Sequence, residues 1–216
     1  MSVDQATSSV ANATAQPAAG NIAYTLHGNG YLNITSRCTL RCRFCPKHNR
    51  NWVVQTYDLA LKREPSREEI LAALGDPTRY HEVVFCGLGE PTQRLSVLLE
   101  VAQAVKQRGG RVRLNTDGLA NLIHGRDVTP ELARYVDAVS VSLTAQNAPL
   151  YERHTHPKLP DTYPAVLDFI RCAKASGMAV TVTAIDGLAD VDIAACRQIA
   201  ESLGVAFRRR VLDQVG

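Results

Sequence analysis

The sequence predicts an α/β fold: a partial (βα)6 TIM-like barrel of parallel strands with helices outside. Three observations predict it. Strand-like β-branched runs alternate with amphipathic helix-like runs over most of the chain. The connections between them are short, and repeated βα units impose a parallel sheet with right-handed crossovers. Strands buried on both faces read as apolar throughout, yet several here carry polar residues at alternate positions, as a curved sheet with a polar inner face requires.

The elements follow in order. Residues 1–21 are rich in Ala, Ser, Thr and Gln, without periodicity or large apolar residues, and read as a disordered tail. Residues 22–216 form the core domain. Tyr31–Thr35 is the first strand. Ser66–Leu74 is a helix, with Pro65 before it and Ser66 and Glu69 spaced as a capping box. Glu82–Cys86 is the second strand. Arg94–Arg108 is a helix with Leu95, Leu98, Leu99, Ala102 and Val105 on one stripe, stopped by Gly109 and Gly110. Arg111–Thr116 is the third strand. Thr129 and Pro130 open a short helix at the N-cap and N1 positions. Ala138–Leu143, Met178–Ala184 and Val205–Leu212 complete the six strands, with helices over Tyr163–Ser176 and Val191–Leu203 between them. Six strands fall short of the eight of a closed barrel. Asn33 and Thr35, Arg113 and Asn115, Ser140 and Ser142, and Thr181 and Thr183 are the polar alternations; residues two apart share a face, so these are expected to line the concave side.

Composition narrows the function. A net charge of +3 is too small to argue for a nucleic-acid partner. No apolar run approaches the ~18 residues of a membrane span. The N-terminus lacks the features of a secretory signal or a transit peptide, so a cytoplasmic location is expected. Thiols stay reduced there, and clustered cysteines point to metal binding or catalysis.

Such a cluster follows the first strand, in Thr35-Ser-Arg-Cys38-Thr-Leu-Arg-Cys42-Arg-Phe-Cys45. The C-terminal end of a parallel strand is where α/β enzymes keep their chemistry. A structural zinc site closes with four protein ligands. Only His48 stands near as a fourth, so a zinc-binding or non-catalytic iron–sulfur protein is the alternative reading. Three cysteines on a four-iron cubane leave one iron open to a ligand. Cys172 and Cys196 fall on helices and read as core residues. Cys86, ending the second strand, also reads as packing.

The string Cys38-x3-Cys42-Arg43-Phe44-Cys45 resembles the signature of the radical S-adenosylmethionine (SAM) superfamily, with Phe44 in its aromatic position. Gly87-Leu88-Gly89-Glu90-Pro91 resembles that family's glycine-rich motif after the second strand. The resemblance implies a [4Fe-4S] cluster on Cys38, Cys42 and Cys45, and SAM contacts at Gly87, Gly89, Glu90, Asn115 and Ser142, with Asp117 a further candidate. Tyr31-Leu-Asn-Ile-Thr35, Asn115-Thr-Asp-Gly-Leu119 and Asn121-Leu-Ile-His-Gly-Arg-Asp127 look like the TatD-family-associated radical SAM proteins. A more distant likeness is to glycyl-radical-enzyme activating enzymes.

In that family an external electron donor reduces the cluster, SAM is cleaved to methionine and a 5′-deoxyadenosyl radical, and the radical takes a substrate hydrogen. The cofactor carries the chemistry, so no acid–base residue is assigned as catalytic. The chain ends near its sixth strand without a cysteine-rich extension. A second cluster is therefore not expected, and a macromolecular substrate or partner, such as a TatD-type protein, is expected to complete the site. His124, Arg126 and Asp127 suit either the site mouth or a capped turn. His154 and His156 read as part of a surface loop over Tyr151–Pro164. Arg208, Arg209 and Arg210 alternate faces along the last strand. An arginine inside the barrel suits the SAM carboxylate or an anionic substrate, and solvent-facing charge is the other reading.

Overall fold

The computed structural model describes residues 20–48 and 51–212. Residues 1–19, which make up nearly all of the expected tail, lie outside the described residues. The chain opens with an antiparallel hairpin, β1 (Ala23–Leu26) and β2 (Asn29–Leu32). A long segment then holds the cysteines and a small two-stranded hairpin, β3 (Val53–Val54) and β4 (Tyr57–Asp58). After it come α1 (Arg67–Leu74), β5 (Val83–Phe85), α2 (Leu95–Gln107), β6 (Val112–Thr116), α3 (Ala120–His124), α4 (Thr129–Leu132), β7 (Ala138–Thr144), α5 (Ala148–Thr155), α6 (Thr162–Ala175), β8 (Ala179–Asp186), α7 (Ile193–Ser202) and β9 (Ala206–Val211).

One seven-stranded sheet runs in the order β1-β2-β5-β6-β7-β8-β9, and every pairing after the first is parallel. The six parallel strands are the six read from the sequence. The added strand, β1, has no counterpart in the expected order. The first parallel strand also lies earlier than expected, at Asn29–Leu32 rather than Tyr31–Thr35. The reason is that Asn33 and Thr35 bond away from the sheet. Asn33 donates its amide to the Asn21 and Leu59 carbonyls, and the Thr35 hydroxyl donates to Glu64 at 2.6 Å. These two residues therefore fasten the returning segment instead of lining the lumen.

Cross-strand register fixes what each face carries. Leu32, Phe85, Leu114, Val139, Val141, Val180 and Val182 point outward into the main core, against the buried stripes of α2 and α6. The opposite face carries Tyr31, Val84, Arg113, Asn115, Ser140, Ser142, Thr181, Thr183 and Arg208 in aligned rows. This is the polar face expected of a curved sheet. A flat sheet would set β9 about 24 Å from β2, at about 4.8 Å per strand. Arg208 of β9 nevertheless lies within electrostatic reach of Tyr31 of β2, so the sheet curls into an open barrel. At the β1 and β2 edge a second apolar cluster of Tyr24, Leu26, Leu59 and Leu88, joined by Trp52, Val54 and Tyr57, seals the inner face.

Local signals set the helix ends. The Ser66–Glu69 capping box is present in full. Thr129, expected as an N-cap, is instead the first helical residue of α4. The Asp127 carboxylate accepts from its N–H and its hydroxyl, and the buried Thr129 hydroxyl also meets Ser176. Cys196 is buried on α7 as expected, but Cys172 is only half-buried. Among the described residues no helix is long and apolar enough to cross a membrane.

One carboxylate clamps the bottom of the barrel. Asp137 accepts from Lys106 Nζ at 2.6 Å and from the Val112 N–H at 2.8 Å, joining α2, β6 and β7. Partial burial opposes ionisation, but Lys106 and the Val112 N–H outweigh it and hold the carboxyl below its ordinary range. A group depressed in the folded state contributes stability above its unfolded pKa of about 3.9, lost as pH falls through the folded value. Wild-type stability in urea is expected to decline below about pH 4 more steeply than that of Asp137→Asn. At neutral pH the variant is expected to be less stable by about 1 kcal/mol, the scale of a half-exposed hydrogen-bonded ion pair.

Candidate active site

The cysteine segment crosses the C-terminal mouth of the barrel. Cys38, Cys42 and Cys45 are all half-buried. A turn brings the last two together, with the Cys45 N–H on the Cys42 carbonyl at 3.1 Å. The Leu40 N–H points at Cys38 Sγ from 3.4 Å. Burial pushes Cys42 well above the ordinary thiol range, and Cys38 and Cys45 push it further. Burial and then Asp117 push Cys38 up to about 12. Donating the Cys38 and Cys42 thiolates therefore requires a bound positive charge, since the thiolate and not the thiol is the ligand. An iron–sulfur cluster supplies that charge, and three thiols on one loop fit its donor set. Among the described residues no group of three or more His, Cys, Asp and Glu side chains forms a ready single-ion site.

The loop is braced on three sides. Lys47 Nζ closes it onto the Ser36 carbonyl at 2.7 Å. The end of α5 holds it from one flank: Arg41 and Arg43 donate backbone N–H groups to the Thr155 and His154 carbonyls, and the Lys158 N–H reaches the Thr39 carbonyl. The expected surface loop over Tyr151–Pro164 is thus partly helix. His154 is buried, with its ring bonded to the Ala189 carbonyl at 2.8 Å, and His156 meets Arg43. Neither is placed as a metal ligand; both serve the cysteine loop. On the other flank Glu64 gathers Thr35, Arg37 and Arg94, while Arg94 also donates to the Ile34 and Pro65 carbonyls at 2.8 Å. Single charged residues without a motif gave the sequence no way to announce these braces.

The glycine-rich turn supports the loop from beneath. A side chain at Gly89 would lie 2.3 Å from the Thr35 carbonyl oxygen and 2.8 Å from that of Arg37. At Gly87 it would lie 2.1 Å from Asn33 Oδ1. Gly89 lets two backbones meet, Gly87 leaves room for the Asn33 side chain, and the Glu90 N–H bonds the Arg37 carbonyl at 2.8 Å. The Glu90 carboxylate is buried and turned to protein: it accepts from the Thr92 N–H and hydroxyl, the Thr116 hydroxyl and the Asp117 N–H. Burial, followed by the charge of Glu90, raises Asp117 well above its usual range, and Asp117 faces Cys38 Sγ at 4.0 Å.

The other expected contacts sit on the inner wall. Asn115 and Ser142 are half-buried there, Asn115 accepting from Arg113 at 2.7 Å. Cys86 follows the same parity, within reach of Asn115 and Arg210, so it faces the lumen and not the helix-packed core. His124 and Arg126 are directed elsewhere. They line an open outer pocket of about 470 Å³ with Arg37 and Gln93, where His124 donates to the Thr92 carbonyl and Arg126 pairs with Glu131.

Residues 32–203 match the family described as the radical SAM superfamily. The chain belongs to that superfamily. A [4Fe-4S] cluster and SAM are what the family implies for it. A tungsten-containing aldehyde ferredoxin oxidoreductase cofactor-modifying protein of Pyrococcus furiosus is 34% identical over 129 residues, which is 54% of this chain and 32% of that protein. Among solved structures, SuiB of Streptococcus suis bound to S-adenosylmethionine superposes with a TM-score of 0.62 at 13% identity, covering 86% of this chain and 40% of that one. TYW1 with a lysine-pyruvate adduct gives 0.60 at 14%, covering 88% and 66%. AnSMEcpe with AdoMet and a peptide gives 0.61 at 14%, covering 84% and 50%. The chain therefore spans about a third of the curated relative. The structural likenesses speak for the radical SAM barrel alone.

Proposed function

We propose that Cys38, Cys42 and Cys45 hold one [4Fe-4S] cluster and that the enzyme cleaves SAM reductively to act on a substrate within the barrel. The observation that carries this reading is the placement of three half-buried thiols on one braced loop across a polar-lined mouth. The bound group supplies an electron for SAM cleavage and thereby a 5′-deoxyadenosyl radical able to take hydrogen from carbon. The chain's own residues position and enclose. Gly87 and Gly89 bring the second-strand turn against the cysteine loop, and their backbone is the proposed contact for the SAM amino group, with Glu90 beside it. Asn115 and Ser142 offer polar groups on the wall. The sealed β1 and β2 edge keeps water from one side of a reactive site.

An external one-electron donor and a cytoplasmic setting belong to the same proposal. A protein or peptide substrate is supported by the peptides bound in SuiB and anSMEcpe structures that share the fold. A TatD-type partner rests on the motif resemblance alone.

The test is anaerobic. Protein reconstituted with iron and sulfide, then given a strong reductant and SAM, is expected to form 5′-deoxyadenosine, while Cys42→Ala forms none and holds no intact cluster. Stoichiometric zinc in a colourless wild-type protein, with no product, would overturn the reading.

A further inference from the structure

We propose that Arg208 and Arg210 form a binding site for an oxyanion of the substrate, a phosphate or a carboxylate, on the concave face of the barrel. This rests on the radical SAM reading above, because it takes the lumen as the place where substrate enters.

Position comes first. β9 pairs in parallel with β8, with Arg208 opposite Thr183 and Arg210 opposite Ile185. Thr183 is in turn opposite Ser142, so Arg208 and Arg210 share the inner polar face. Arg209 alternates to the other side, where it is matched to Asp186 through Nε at 2.8 Å. Charged residues blunt an edge strand against pairing, and that suffices for Arg209. It does not explain Arg210, whose Nε is buried without a hydrogen-bond partner.

Charge comes second. Among the described residues neither Arg208 nor Arg210 makes an ion pair. Glu82 and Glu90, acids held by other residues, are already used. Glu82 is held by Arg113 at 2.7 Å, and Glu90 is held by its four donors. Burial, followed by the charges of Arg113 and Arg210, holds Arg208 below its ordinary value. Guanidiniums gathered in a half-buried site repel one another and leave planar donors unfilled; an oxyanion neutralises the charge and accepts from the fork. Arg210 also lies near Cys86, just before the Gly87–Glu90 turn, and Arg208 opens to solvent. An anion here would sit on the concave wall toward the C-terminal ends of β8 and β9, beneath the mouth crossed by the cysteine loop.

The experiment is calorimetric titration of the cluster-reconstituted protein with inorganic phosphate and with malonate, at ionic strength held constant with chloride, before and after saturation with SAM. Saturable binding of one of them that survives SAM is expected, and which one binds separates a phosphate from a carboxylate source. Arg210→Gln and Arg208→Gln are expected to weaken it about tenfold or more, the scale of a lost charge-assisted bond, while the outward Arg209→Gln leaves it unchanged. Should Arg210→Gln fail to fold, the exposed Arg208 position carries the test. No saturable binding of either anion, binding indifferent to both inner variants, or binding abolished by SAM would overturn the proposal. Wild-type 5′-deoxyadenosine formation is measured on the same preparation. SAM cleavage without anion binding refutes this site alone, whereas anion binding without SAM cleavage refutes the enzyme reading.

Discussion

Gly89→Ala is expected to destabilise the protein by about 3 kcal/mol or more, the upper range for overpacking a filled site, and to cost most of its bound iron. The one added carbon would stand 2.3 Å from the Thr35 carbonyl oxygen and 2.8 Å from that of Arg37. Both are backbone atoms in the stretch leading into Cys38, so neither moves as a flexible side chain would. Relief requires the turn and the cysteine loop to part, which breaks the Glu90 N–H bond to Arg37. Gly125→Ala supplies the contrast. Its left-handed backbone, φ +64°, has nothing within 4 Å of the added carbon, so it carries only the conformational cost of about 1 kcal/mol. Urea unfolding and iron per chain, measured for both variants, check the expectation. Equal iron in Gly89→Ala and wild type would show that the turn does not set the loop.

The same turn shows how far a sequence can be read. Glycines after a parallel strand announce a close approach, and the motif resemblance supplied SAM as the group approached. Here the atoms that crowd Gly87 and Gly89 belong to Asn33, Thr35 and Arg37. The six parallel strands and the inner polar face were legible because period two and short βα connections are local properties. The bend that brings Arg208 to Tyr31 is a sum over strands and leaves no local mark. β1 escaped notice because Ala23–Leu26 is short and its pairing to Asn29–Leu32 needs only the two residues His27 and Gly28, both at positive φ. The buried role of His154 was hidden because its partner, the Ala189 carbonyl, is a backbone atom far along the chain. Sequence parity leaves the face of Arg210 open; the register of β9 on β8 sets it.

Glu90→Ala is expected to be the most damaging single change in stability, by about 3–5 kcal/mol, because several buried donors lose a charged acceptor and each unmade buried bond costs about 1–3 kcal/mol. The carboxylate holds the turn after β5 to the turn after β6: one oxygen receives the Thr92 N–H, the Thr92 hydroxyl and the Thr116 hydroxyl, and the other the Asp117 N–H. Glu90→Gln separates this framework role from direct contact with SAM. Its amide oxygen keeps the three bonds from Thr92 and Thr116, while its NH2 confronts the Asp117 N–H, so a loss of about 1–2 kcal/mol is expected from one unmet donor. A stapling role predicts that SAM affinity in the reconstituted protein falls in step with stability, Ala more than Gln. A direct bond from the carboxylate to the SAM amino group predicts instead that Gln loses SAM binding about as sharply as Ala, out of step with its smaller loss of stability, since a carboxylate gains far more from an ammonium than an amide does. Urea midpoints set against SAM dissociation constants for the two variants decide between them, and the four donors already satisfied within the protein favour the staple.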